Sequence, residues 1–308
     1  MTGTTSGMPG REAALVEVAD GVFAHVQPDG GWCLNNSGLV VSGGRAALVD
    51  TAATEARARS LRAAVLSVAP TAPQVLVNTH FHGDHTFGNF VFPEALVVGH
   101  ERTRTEMTEA GLHLTGLWPE VDWGRLELVP PALTFRDRLT LHIGDKTAEL
   151  IHLGPAHTTN DTVVWLPAER VLFTGDLVMN GVTPFVPMGS VAGSLEALAA
   201  LRGLAPEVVV TGHGPVGGPE VFDEAEGYLR LLQELAGRGL AEGLDPVGLA
   251  RRTDLGAYAR WLDAERLVPN LFRAYAEEQG EPRGSRVDMT ELFGRMVEYH
   301  GGVPACHA

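Results

Sequence analysis

The chain has 308 residues, 44% of them hydrophobic, a formal net charge of −15 at pH 7 and two cysteines. That length and apolar content support a sizeable core without disulfides, and the negative mean field disfavours nucleic acid as a partner while leaving neutral or cationic small molecules open. Cys33 and Cys306 stand far apart, which argues against a disulfide framework and for a reducing, cytoplasmic setting; the first ten residues carry no secretion signal, and no apolar run approaches the roughly 20 residues of a membrane span.

Residues 1–13 read as a flexible N-terminus. From Ala14 to Asp50 the text alternates short apolar runs with turns, including a hairpin turn at Ser42-Gly43-Gly44. Thr51 to Val68 reads as an amphipathic helix that ends before Pro70. A short apolar strand at 74–78 runs straight into Thr79-His80-Phe81-His82-Gly83-Asp84-His85. That order places the histidines at the C-terminal end of a strand, where ligand sites commonly form in α/β folds. Strands recur on either side of Gly144-Asp145-Lys146, at 162–167 and at 170–176; Ser194 to Leu204 reads as a helix, and 207–214 is a second strand ending in a histidine. Two halves, each of strands plus helices, predict two sheets packed face to face with helices outside. From Pro219 onward the composition shifts to Ala, Leu, Glu and Arg, which predicts a mostly helical extension over 219–308, with Pro269 ending one helix and beginning the next.

Between His80 and His85 three imidazoles and a carboxylate fall within six residues. Packing alone gives no reason for such density. His80 and His82, two apart in an extended loop, can project to one side, while Gly83 permits a turn that aims Asp84 and His85 at a second position. Two adjacent metal positions follow. Downstream stand Gly154-Pro155-Ala156-His157-Thr158, Thr174-Gly175-Asp176 and Gly212-His213-Gly214.

Taken together, these four motifs, in this order over roughly residues 14–216, resemble the HxHxDH signature and companion motifs of the metallo-β-lactamase superfamily. The resemblance implies an αββα four-layer sandwich of two mixed β-sheets flanked by helices, here a domain over 14–218 followed by the C-terminal helical extension. It also implies that His80, His82 and His157 bind a first metal, that Asp84, His85 and His213 bind a second, and that Asp176 bridges both. Two divalent cations are expected, Zn²⁺ first, with Fe or Mn as alternatives, since the donors are imidazoles and carboxylates with no cysteine near them. Cations roughly 4 Å apart would acidify a shared bridging water and stabilise the oxyanion formed at a carbonyl. Asp84 would contact that water and is the expected catalytic residue.

Asp176 stands where zinc β-lactamases of one subclass carry cysteine, so the chain looks more like glyoxalase II, lactonases and related esterases. The leading expectation is hydrolysis of a small ester, lactone or thioester, whose leaving groups need less assistance than an amine. A β-lactam or other cyclic amide, a mono-iron sulfur dioxygenase reaction and a non-catalytic binding module are the alternatives. Asp161 is read either as a carboxylate that orients a histidine or as a turn residue. The other histidines are read as structural or surface residues, Asn78 and Thr79 as shaping the loop, and Asn35 and Asn36 as strand or turn hydrogen-bonders. Trp32 is a candidate substrate wall; Trp118, Trp123, Phe185, Met188, Tyr258, Trp261, Phe272 and Tyr275 are weaker ones, since aromatics at helical spacing are usually core, and Tyr258, Trp261 and Leu262 read more simply as a packing face. The extension is expected to cover the metal groove, with a homodimer interface as the competing use of its apolar faces.

Overall fold

A computed structural model describes residues 12–69 and 71–308. Nearly all of the expected flexible N-terminus, and Pro70, lie outside them. Strands β1 (Ala14–Ala19), β2 (Val22–Val26), β3 (Ser37–Ser42) and β4 (Arg45–Val49) form an antiparallel meander. The β3–β4 turn falls at Gly43-Gly44, both with positive φ, as a tight hairpin requires. Helix α1 (Glu55–Val68) begins later than its apolar pattern, because Thr54 caps it by accepting from the Arg57 amide. Strand β5 (Val75–Val77) then adds parallel to β4.

The stretch from Gly83 to Phe135 contains a short helix α2 (Gly83–Thr86), a 3-10 turn at Phe87–Val91, β6 (Leu96–His100), α3 (Glu101–Ala110), a second 3-10 turn at His113–Gly116 and β7 (Leu133–Phe135). The first sheet therefore has the order β1-β2-β3-β4-β5-β6-β7, antiparallel at one end and parallel from β4 onward. The second sheet comprises β8 (Arg138–Ile143), β9 (Lys146–His152), β10 (Thr162–Leu166), β11 (Val171–Met179) and β12 (Val208–His213), in the order β12-β11-β10-β9-β8. In it β11 and β12 pair in parallel, and β8–β9, β9–β10 and β10–β11 pair antiparallel.

Strand alternation sorts the layers. Val40, Val49, Val77 and Val98 meet Leu150, Val164, Phe173 and Val210 between the sheets. Their neighbours Leu39, Leu48, Leu76 and Val97 face outward onto Ala58, Leu61 and Val65 of α1. On the far side Ile151, Val163, Leu172 and Val209 face α4 (Val191–Leu204) and α5 (Val221–Glu242). The result is the four-layer αββα sandwich of two mixed sheets.

Beyond α5 come α6 (Pro246–Ala250), 3-10 turns at Gly256–Arg260 and Ala264–Arg266, α7 (Leu267–Glu278) and α8 (Met289–His300). Pro269 falls in the first turn of α7, where its missing N–H costs nothing. Phe222, Tyr228 and Leu232 of α5 join Leu267, Val268 and Leu271 of α7 in the same buried cluster as the second sheet's outer face. Among the described residues no helix is long and apolar enough to cross a membrane.

Candidate metal centre

The strand ends converge at one edge of the sandwich. The residues after β5 carry His80, His82, Asp84 and His85; the β9–β10 loop carries His157; Asp176 lies in β11, and His213 ends β12. His82 Nδ1 stands 3.0 Å from His80 Nε2 and 2.9 Å from His157 Nε2. Asp84 Oδ2 stands 3.3 Å from His213 Nε2 and 3.9 Å from His85 Nε2. Asp176 reaches both groups: Oδ1 lies 3.1 Å from His85 Nε2, and Oδ2 lies 3.5 Å from both His157 Nε2 and His213 Nε2. The seven residues picked out in the sequence thus meet in two adjoining clusters, with donor atoms in each within 4.8 Å of one another.

Asp50 lies behind both clusters, and sequence reading missed it. It accepts from the Thr79 amide at 2.8 Å and from Thr79 Oγ1 at 2.7 Å. With its proton committed to Asp50, Thr79 Oγ1 accepts from His80 Nδ1 at 3.0 Å. His85 Nδ1 donates to Asp50 Oδ2, the oxygen that also accepts from Thr79 Oγ1, at 2.8 Å, and His213 Nδ1 donates to the Gly30 carbonyl at 2.9 Å. These bonds fix three tautomers so that each Nε2 faces the cluster. His85 Nε2 and Asp176 Oδ1 face the clusters buried and without a hydrogen-bond partner, and His82 Nδ1, His80 Nε2 and His157 Nε2, all on neutral rings, crowd together at 2.9–3.0 Å. Buried acceptors crowded this closely are costly unless cations lie among them, and nitrogen and oxygen donors without sulfur suit Zn²⁺, Fe or Mn. The residues therefore fit divalent metal.

Asp50 also has a left-handed backbone, φ 58°, which asparagine tolerates. Asp50→Asn should therefore keep the turn while removing the charged acceptor shared by Thr79 and His85. Metal affinity should fall about 10- to 100-fold, measured by competition with a chromogenic chelator. Unchanged affinity would deny Asp50 its positioning role.

The electrostatics of the two clusters differ. Burial lowers His80 well below the ordinary imidazole value, and lowers His82 to about 4 and His157 to about 3. These rings are neutral at pH 7 and ready to donate lone pairs. Burial opposes charge at His85 and His213 too, but the facing carboxylates of Asp176 and Asp84, with Asp50 at His85, outweigh it; His85 is raised and His213 reaches about 9. A cation entering there displaces protons. Burial would raise Asp84, yet His85 and His213 outweigh it and hold it at about 2.

Neighbouring residues hold the frame. Asp161 accepts from the amides of Ala156 and Thr158 and from Thr158 Oγ1, so it orients the His157 loop rather than a histidine ring. Asn36 donates to the carbonyls of Thr211 and Gly214, and Asn35 to that of Thr51; they tie β3 to β12 and β4. Gly83 serves a different purpose from the one its sequence position suggests. Its φ is not positive; a Cβ there would lie 2.4 Å from the Phe87 ring. Space, not torsion, requires it. Gly212 is likewise required, since a Cβ would lie 2.0 Å from Asp176 Oδ1.

A cavity of about 320 Å³ opens onto both clusters, reaching His82, Asp84, His157, Asp176 and His213. Trp32, Phe185 and Met188 line it as expected. Trp118 instead supports Trp32 from behind at a ring distance of 5.3 Å, and Trp123 packs edge-on against Phe87. The aromatic stripe from Tyr258 to Tyr275 is not on the wall. Tyr258 and Trp261 pack on Tyr228 at 5.4 and 5.6 Å, Phe272 joins the same cluster, and Tyr275 donates to the Leu244 carbonyl at 3.1 Å. The extension reaches the cavity through Arg266, Met289 and Phe293. Arg266 lies over the Trp32 ring at 3.9 Å, and Trp32 Nε1 donates to Glu265 at 2.7 Å. Leu114 and Leu117, after α3, complete the apolar wall. Of the histidines set aside in the sequence, His113 touches the cavity, and His100 stacks on His152 at 3.9 Å away from it.

An αββα sandwich whose strand ends gather five histidines and two aspartates around a cavity defines a metal-dependent hydrolase. The chain belongs to the metallo-beta-lactamase superfamily, whose family model matches residues 30–213. It is 25% identical over 225 residues to the metallo-beta-lactamase type 2 of Bacteroides fragilis, covering 70% of this chain and 84% of that protein. It is 29% identical over 204 residues to the 2,4-dinitroanisole O-demethylase subunit alpha of Nocardioides sp. (strain JS1661), covering 64% of this chain and 54%, about half, of that protein. A metallo-beta-lactamase from Pontibacter korlensis has the same fold, with a TM-score of 0.60 and 22% identity over 71% of this chain and 99% of its own. The DIM-1 metallo-beta-lactamase matches at a TM-score of 0.58 and 20% identity, over 71% of this chain and 98% of its own.

Proposed function

We propose that the protein binds two divalent metal ions, Zn²⁺ first, and hydrolyses a small ester, lactone or thioester with a bulky apolar or aromatic body. His80, His82 and His157 would hold one ion, Asp84, His85 and His213 the other, with Asp176 shared. The carrying observation is the cavity, whose wall of Trp32, Phe81, Leu117, Phe185 and Phe293 leads directly onto the ligand clusters. Bound cations would supply Lewis acidity and make water a competent nucleophile at neutral pH.

The chain's own residues orient and exclude. Asp84, ionised at neutral pH, is the carboxylate of the second cluster that meets the cavity, placed to accept a proton from an attacking water. The apolar wall strips solvent from the substrate body and favours large over small acyl or ring groups. The relative named for O-demethylation of an aromatic ether is compatible with such a wall. The apolar faces of α5 and α7 are already buried within the same chain, which removes the composition argument for a homodimer and leaves a small molecule as the proposed partner.

A second reading, β-lactam hydrolysis, is favoured by the similarity to the Bacteroides fragilis enzyme. Metal analysis of the purified protein, combined with a screen of aryl esters, lactones, thioesters and a cephalosporin, separates the two. The proposal expects two metals per chain and kcat/KM at least about tenfold higher on the best ester, lactone or thioester than on the cephalosporin. A preference for the cephalosporin would install the second reading; one iron with oxygen consumption on a persulfide would remove both.

Phe293→Ala probes the wall. It should lower kcat/KM at least about tenfold for a naphthyl ester while changing that for a methyl ester less than about twofold. Equal losses on both would mean that Phe293 does not select.

A further inference from the structure

The two cysteines, at opposite ends of the sequence, meet beside the cavity. Cys33 is 2% exposed, lies on the cavity wall next to Trp32 and has a left-handed backbone at φ 63°. Cys306 is partly exposed, and its side chain packs in the same cluster as Cys33, Trp32 and Trp118. Its segment is fastened at two points. Trp118 Nε1 donates to the Pro304 carbonyl at 2.7 Å, and the Arg57 guanidinium donates to the His307 carbonyl. Both thiols are free, and they are neighbours within that cluster. None of the seven metal-cluster residues is a cysteine, so the proposed reaction leaves this pair unused.

We propose that Cys33 and Cys306 form a redox-modification site at which a hydroperoxide joins the two thiols as a disulfide, fastening residues 303–308 to the cavity wall. The order of events follows from access. Cys306 is the thiol that solvent reaches, whereas Cys33 is buried against the cavity wall. The Cys306 thiolate attacks the peroxide and breaks the O–O bond. This gives a sulfenic acid and, from hydrogen peroxide, a hydroxide that takes up the proton the Cys306 thiol released and leaves as one water. Cys33 Sγ then displaces the sulfenic oxygen, which leaves as a second water with the Cys33 proton. Two thiols are oxidised by two electrons, and one peroxide is reduced to two waters.

The test uses the full chain with its metals loaded, treated with one equivalent of hydrogen peroxide and digested without reductant. A peptide linking Cys33 to Cys306, lighter by two hydrogens and released by dithiothreitol, is expected. The melting temperature should rise by roughly 4 °C on oxidation and return on reduction. Cys306→Ser should keep the untreated activity, form no link and leave Cys33 unoxidised at the same dose. Absence of the linked peptide in the wild type overturns the proposal. So does Cys33 oxidation in Cys306→Ser at the wild-type rate, or a link that forms only between chains.

Discussion

Replacing Asp176 by Ala is expected to strip metal from both clusters and to lower kcat/KM at least about 10³-fold. The reason is geometric: one carboxylate lies within 3.5 Å of His85, His157 and His213 alike, so neither cluster is complete without it. Asp84→Asn gives the contrast. Among the described residues, the imidazoles within 4.0 Å of Asp84 are those of His85 and His213, so that variant should retain the first metal, lose the second and lose activity about 10²- to 10⁴-fold. Elemental analysis after dialysis, beside steady-state rates, reads both variants. Full metal content and wild-type turnover in Asp176→Ala would mean that the shared assignment is wrong.

The second large effect concerns the fold. A chain ending at Gly218 should fail to fold cooperatively. Phe222, Tyr228, Leu232, Leu267, Val268 and Leu271 are each 0% exposed. At roughly 1.5–3 kcal/mol per buried large apolar side chain, their loss rivals the entire stability of an ordinary domain, about 5–15 kcal/mol. Calorimetry and near-ultraviolet circular dichroism check this. A single sharp transition within a few degrees of the full chain would show that the sandwich stands without the helices that follow it. Deleting the extension is accordingly a poor test of selectivity, and Phe293→Ala is the cleaner one.

The metal-cluster residues were legible because they break a statistical expectation locally: three histidines and an aspartate beside one glycine have no packing rationale. The strands were legible where apolar runs were bounded by turns. Helix α3 was not, because only Thr103 and Met107 of its ten residues are buried, and two positions make no visible stripe. Asp50 was hidden for another reason. A single acid after an apolar strand looks like any turn residue until Thr79 and His85 are seen to converge on it. The aromatic residues from Tyr258 to Tyr275 illustrate why helical spacing favours a packing face over a pocket wall, since Tyr258 and Trp261 pack on Tyr228 of α5. The actual wall from the extension, Arg266, Met289 and Phe293, is scattered over three elements and has no local pattern.

Trp32 pairs with Glu265, Trp118 with Pro304, and Arg57 with His307. During vectorial synthesis, every proposed metal donor has been made once His213 emerges, yet the cavity wall waits for residues fifty to ninety positions further on. Contacts of such long sequence separation form late, because the chain entropy of closing large loops must be overcome first. The sandwich, its ligand clusters and the cavity wall therefore become stable together, when the same late contacts that complete the core also close the mouth of the site.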